Sequence, residues 1–298
     1  MSGFVARAAA AAVALGLVAL GAPTVAAAST SQPAKVITVA GSDVAVPAPG
    51  TAVAVSVDRI VGASTTRVIS TDLNGAVTVS DGVEADAATE DAAADDAAPN
   101  DAPDKCSDSA YALITGSKWS GTYGWRFRTA STPKGLTVAE ATRALRLSIG
   151  NITKAHNDCG LADEVSASAH YLGSTTLPSD ATSTSGCGAP SMQNVTEFAP
   201  IDGTNILAVT CVYTAGPNIV SASVRINTNV DWELHGKCTS AYGVLATMTH
   251  EYGHAFGLAH VDETAHRNLT MSSAINSDCS NFEAHLGKGD VLALRSLY

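Results

Sequence analysis

Three histidines and one glutamate lie close enough together in this chain to make a metal site. The stretch His250-Glu251-Tyr252-Gly253-His254-Ala255-Phe256-Gly257-Leu258-Ala259-His260 reads HExxHxxGxxH. If it is helical up to Gly257, His250 and His254 stand one turn apart on one face, where both ring nitrogens reach a single zinc ion. Glu251 then points about 100° round the helix, beside the open position of the metal, where it is free to act as a base. Glycine takes a left-handed backbone at little cost, so Gly257 lets the chain leave the helix and swing His260 back as third ligand. A random arrangement of this composition would contain the pattern with a probability on the order of 10⁻⁵, which makes the spacing informative. Three neutral imidazoles would leave a tetrahedral zinc one open place for a water, with a pKa of about 7. Glu251 would take that water's proton during attack on a carbonyl and pass it to the leaving amine.

Composition narrows the setting. The 298 residues carry a net charge of −11. Eight acidic residues and no basic one fall between Glu84 and Asp104, and the remainder is near neutral, which gives no reason to expect nucleic acid as a partner. The chain opens with Arg7, an apolar run from Ala8 to Leu20 too short to span a bilayer, and Ala26-Ala27-Ala28 as a small-residue cleavage site. These features read as an export signal over residues 1–28, leaving a secreted, extracellular, monomeric protein with no membrane association. Cys106, Cys159, Cys187, Cys211, Cys238 and Cys279 all lie beyond the acidic run, and none forms a CxxC pair. An even set in an exported chain reads as three disulfides. Of 15 connectivities, the preferred one joins sequence neighbours: Cys106 to Cys159, Cys187 to Cys211 and Cys238 to Cys279.

The elements that must position the motif divide at the acidic run. Residues 29–83 hold short apolar stretches (Lys35 to Ala40, Thr51 to Val57, Ala76 to Ser80) with few aromatics, as in a pro-segment or a small extension with a poor core. Residues 84–105 form an acidic linker, disordered because it has too little apolar surface to offset its ordering entropy. The folded unit is 106–298. Trp119, Tyr123, Trp125 and Phe127 alternate as in a strand; Thr137 and Glu140 form a capping box before Val138, Ala141, Leu145, Ile149 and Ile152, in a helix ending near Cys159-Gly160. Strands follow at Val165 to Leu172, Ile206 to Tyr213 and Ile219 to Asn227, the last two joined by the turn Ala215-Gly216-Pro217-Asn218. The motif helix starts near Thr239 or Ser240, and a last helix begins at Asp290 with Val291, Leu292, Leu294 and Leu297 as its apolar positions. This order implies an α+β domain.

Together with Asn268-Leu269-Thr270-Met271-Ser272-Ser273, the motif resembles the metzincin clan of zinc endopeptidases, and within it the secreted bacterial matrixin-like proteases. Asn205 to Val209, Ile219 to Asn227, Trp232 and the ending Leu286 to Tyr298 extend the likeness over about residues 106–298. The resemblance implies a twisted, mostly parallel five-stranded sheet with an antiparallel edge strand, an active-site helix and a C-terminal helix. It places Met271, 11 residues after His260, in a turn beneath the zinc. It also implies a protein or peptide substrate that adds as an extended strand along Ile206 to Tyr213, and activity released from a zymogen. Structural calcium is common in the family, but no calcium loop is legible here. Ser273 stands where astacins and serralysins have a tyrosine, and Ser273 and Ile275 replace the proline and tyrosine that shape the matrixin specificity pocket. The matrixin cysteine switch is absent; Pro103-Asp104-Lys105-Cys106 is the nearest approach. Asn151, Asn194 and Asn268 begin N-x-T sequons, which matter only in a eukaryotic secretory host. Two other readings stand beside the endopeptidase: a secreted zinc-binding interaction module without turnover, against which the intact Glu251 argues, and a zinc amidase acting on cell-wall peptide.

Overall fold

The computed structural model describes residues 35–60, 64–85, 102–203, 205–234, 241–273 and 284–298. The N-terminal elements are β1 (Val36–Val39), β2 (Ser42–Ala45), β3 (Thr51–Arg59), β4 (Thr65–Thr71), β5 (Val77–Asp81) and β6 (Val83–Ala85). Next come β7 (Tyr111–Leu113), β8 (Tyr123–Phe127), α1 (Val138–Thr153), β9 (Ala169–Ser174), β10 (Val195–Ala199), β11 (Ile206–Ala215) and β12 (Asn218–Asn227). The chain closes with β13 (Trp232–Glu233), β14 (Tyr242–Gly243), α2 (Val244–Ala255), β15 (Leu258–Ala259), α3 (Glu263–His266) and α4 (Lys288–Leu297).

One eight-stranded sheet runs in the order β5-β4-β3-β11-β12-β10-β8-β9. From β12 to β9 the neighbours are parallel, and β11 lies antiparallel to β12. Those five strands are the sheet that the resemblance implies. The other three were not foreseen as part of it: β3 pairs antiparallel along the whole of β11, and β4 and β5 continue outward. Side chains alternate across a strand, so β3 presents two different faces. Val53, Val55 and Val57 join Ile69, Val209, Cys211 and Tyr213 in a core on one side of the sheet. Ala54 joins the larger core on the helical side. Residues 35–85 thus have no core of their own and share the sheet's.

In β8, Tyr123, Trp125 and Phe127 point inward and Gly124 and Arg126 are half-buried, as the alternation requires. Trp119 lies outside the strand and donates its indole N–H to the Ala255 carbonyl at 2.9 Å. The capping box at α1 is present, with the Glu140 amide on Thr137 Oγ1 at 3.2 Å and the Thr137 amide on Glu140 Oε2 at 2.9 Å. Four expectations need correction. The helix stops at Thr153, well short of Cys159, because Ala155 turns left-handed (φ 49°), and Val138 at its first turn is exposed. The second strand begins at Ala169 rather than Val165. The turn after β11 is only Gly216-Pro217, since Ala215 and Asn218 are themselves paired. The motif helix begins at Val244, capped by Gly243, because Tyr242-Gly243 is held extended against Trp232-Glu233; Thr239 and Ser240 lie outside the described residues.

α2 packs on α1 and, but for Leu245, is buried throughout. Across that contact Ser148 Oγ donates to the Leu245 carbonyl at 3.0 Å and Asn151 Nδ2 to Thr249 Oγ1 at 3.1 Å. Disulfides join Cys106 to Cys159 and Cys187 to Cys211. Cys238 and Cys279 lie outside the described residues, as do the export signal, most of the acidic run and Ile275.

Candidate metal centre

α2 carries His250, Glu251 and His254 into the interior, each no more than 1% exposed. Buried polar groups need partners, and those of the histidines fix their chemistry. His250 Nδ1 lies 2.7 Å from the Thr270 carbonyl and His254 Nδ1 lies 2.9 Å from the Leu258 carbonyl. A carbonyl only accepts, so each Nδ1 carries a proton, and in the neutral ring that a metal requires Nε2 is the atom with the lone pair. After α2, Gly257 adopts φ 99°, and a Cβ there would stand 2.8 Å from the Ser117 carbonyl oxygen, so the exit admits only glycine. β15 then pairs with β7, which returns His260 toward the helix.

The three Nε2 atoms form a nearly equilateral triangle of 3.1, 3.1 and 3.2 Å. A tetrahedral zinc with bonds of about 2.0–2.1 Å sets its nitrogens about 3.3–3.4 Å apart. The residues therefore fit such an ion: three ring nitrogens converge where one cation would satisfy all of them. Glu251 accepts a hydrogen bond from the Thr210 hydroxyl of β11 at Oε2, and among the described residues its Oε1 has no donor.

Met271 is 2% exposed and packs against Gly253, where a Cβ would come within 2.3 Å of its sulfur. The turn that holds it is tied to the strand after His260, with the Val261 amide on the Met271 carbonyl at 2.9 Å. Beneath that turn Asp290, read in the sequence only as a helix start, accepts from the amides of Thr270 (2.9 Å), Met271 (3.1 Å) and Gly287 (2.8 Å). Burial pushes its carboxyl up, against those three amides.

The residue that sequence reasoning missed is Asp58. On β3 it shares the face of Ala54 and Ser56, and in register it lies opposite Ala208 of β11. Its Oδ1 stands 2.7 Å from His260 Nε2 and 3.0 Å from His250 Nε2, and its Oδ2 stands 3.7 Å from His254 Nε2. Among the described residues Oδ2 has no hydrogen-bond donor. Asp58, His250, His254 and His260 form a four-donor cluster with all ligand atoms within 4.8 Å of one another. Burial pushes the Asp58 carboxyl up, but where the His250 and His260 rings carry their second protons, their charges and hydrogen bonds outweigh it and hold it well below the usual range. Burial, and then the Asp58 charge, push Glu251 well above its usual range. The same strands steady His260: its Nδ1 lies 3.1 Å from Thr66 Oγ1, which is 3.0 Å from Ser56 Oγ. The one local signal for Asp58 was an acidic side chain in a valine-rich strand, in phase opposite to the valines.

The Matrixin family model matches residues 191–298. That stretch is similar to the matrixins. It runs from just before β10 to the end of α4 and contains Glu251, the three histidines, Met271 and Asp290; β3 and Asp58 lie outside it. No curated protein matches the chain. The matrixin match and the four-donor cluster together support a zinc metallopeptidase.

Proposed function

We propose that the chain is a secreted zinc-dependent endopeptidase in which His250, His254 and His260 hold the metal and Glu251 is the catalytic base. The observation that carries this reading is the triangle of three convergent Nε2 atoms with a buried glutamate on the same helix. When bound, zinc supplies Lewis-acid chemistry, polarising a carbonyl and lowering the pKa of a water to about 7. Glu251 takes the proton of the attacking water and delivers it to the leaving amine; the Thr210 hydroxyl fixes its other oxygen in the meantime. The Thr270 and Leu258 carbonyls keep the imidazoles of His250 and His254 in the ligating tautomer. Substrate lies extended along β11 in the path now taken by β3, held by backbone hydrogen bonds.

Secretion is supported by the two disulfides, which persist in oxidising compartments. Among the described residues no helix is long and apolar enough to cross a membrane. Casein hydrolysis tests the assignment. After residues 35–85 are cut away, it should appear with one zinc per chain, vanish on chelation, and fall about 10²- to 10⁴-fold in Glu251→Ala. One zinc per chain with no hydrolysis of casein or of a peptide library would defeat it.

A further inference from the structure

We propose that β3 is a built-in inhibitor of this site: it occupies the substrate's edge on β11, and Asp58 fills the fourth position around the metal. This inference rests on the zinc-peptidase reading and names how that site is regulated. Nine residue pairs join β3 to β11, from Ile206 opposite Arg59 to Ala215 opposite Thr51. β11 is otherwise the edge of the five-stranded sheet, and an unpaired edge is where an extended peptide would add. With β3 in place, no unpaired backbone is left there for a substrate.

A strand bound in that way would ordinarily present its own peptide bonds for hydrolysis. The side chain of Asp58 prevents it. Its Oδ1 stands 2.7 and 3.0 Å from two of the three Nε2 atoms, at the corner that an attacking water would need. Side chains alternate on β3, so the valines that bury it on the far face fix Asp58 toward the histidines; a slip of one residue would turn it away. The contact joins residues that lie 192 and 202 positions apart. Cys106 plays no part in it, being bonded to Cys159.

The hold on Asp58 extends to its surroundings. Ser64 Oγ donates to the Ser273 carbonyl at 2.7 Å and accepts from the Arg59 amide at 2.9 Å, which ties the end of β3 to the turn that carries Met271. The inhibitor is thus fastened on both sides of the histidines, and its release requires β3 to leave β11.

The test uses the full-length zinc-loaded chain and acetohydroxamate, a small chelating probe that needs the metal's free position but not the substrate strand. Binding is measured by calorimetry in wild type, Asp58→Ala and Asp58→Asn, and the visible spectrum of the cobalt-substituted chains is recorded in parallel. If the competent state is populated on the order of 1%, the apparent affinity of the wild type is weakened about a hundredfold. Each variant that keeps one zinc and a cooperative melt should therefore bind the probe at least about tenfold more tightly, with an altered cobalt spectrum. Equal affinity and an unchanged spectrum in either folded variant overturn the proposal. Asp58→Asn keeps the side chain's size and is read alone if Asp58→Ala does not fold. Tighter probe binding without peptide hydrolysis, even after residues 35–85 are cut away, would leave the Asp58 contact standing and sink the peptidase reading instead.

Discussion

Two buried aspartates flank the histidines, and they are bonded in opposite ways. Asp290 accepts from three backbone amides and belongs to the stretch that matches the matrixin family. Among the described residues Asp58 accepts from no backbone amide and keeps one oxygen without a donor, and it directs the other at two imidazole nitrogens. A carboxylate ringed by amides is a fixed part of the scaffold, since removing it strands the donors. A carboxylate with an orphan oxygen beside three convergent imidazole nitrogens is a ligand set suited to a cation. The first holds the site together, and the second closes it.

That contrast breaks if the two variants behave alike. Asp290→Ala leaves the amides of Thr270, Met271 and Gly287 without their acceptor, at about 1–3 kcal/mol for each buried donor, so a total loss of about 3–5 kcal/mol is expected in urea unfolding of the zinc-loaded chain. The turn carrying Met271 should loosen as well, and zinc affinity should fall. Asp58→Asn should lose only about 1 kcal/mol and show its effect in access to the metal instead. Equal destabilisation by the two substitutions would mean that Asp58 is as structural as Asp290.

A smaller effect probes the floor of the site. Gly253→Ala would set a methyl 2.3 Å from the Met271 sulfur, and overpacking of this kind costs about 1–3 kcal/mol. Alanine regains about 1 kcal/mol in helix propensity, which leaves a net loss of about 0–2 kcal/mol. The companion Met271→Ala should relieve the clash, so the double variant should be less destabilised than the sum of the singles. Strict additivity in thermal melts would show that Gly253 and Met271 do not press on each other.

The legibility of these parts in the sequence follows from how local they are. His250, Glu251, His254 and His260 lie within eleven residues, and helical periodicity alone brings the first three together. Thr137 and Glu140 announce α1 for the same reason. β10 was not anticipated although it is central and wholly buried, because Thr196 and Glu197 break its apolar pattern. In the fold Glu197 is paired with Arg128 at 2.8 Å and Arg225 at 2.8 Å, and such long-range pairing leaves no local trace. β3 was recognised as an apolar stretch, but its place on β11 depends on pairing across about 150 residues of chain. Asp58 was invisible for that reason: its meaning comes entirely from the register.

A third aspartate, on the surface, completes the comparison with the smallest effect. Asp158 is half-exposed; the Lys105 ammonium at 2.7 Å, and then His285 at 2.8 Å, hold its carboxyl below 3.8 in spite of partial burial. Because the folded value is depressed, the folded state binds fewer protons than the unfolded one as pH falls below 3.8. Its contribution is therefore fully present above that value and is lost on acidification through the folded pKa. Exposed pairs contribute about 0–1 kcal/mol, so Asp158→Asn should lower Tm slightly at about pH 6 and by less at about pH 3. The two buried aspartates should not share this profile: Asp290 would act chiefly through its amides and Asp58 through the metal. A Tm difference for Asp158→Asn that stays constant between the two pH values would remove the ion pair from the account and leave only a neutral packing role for the side chain.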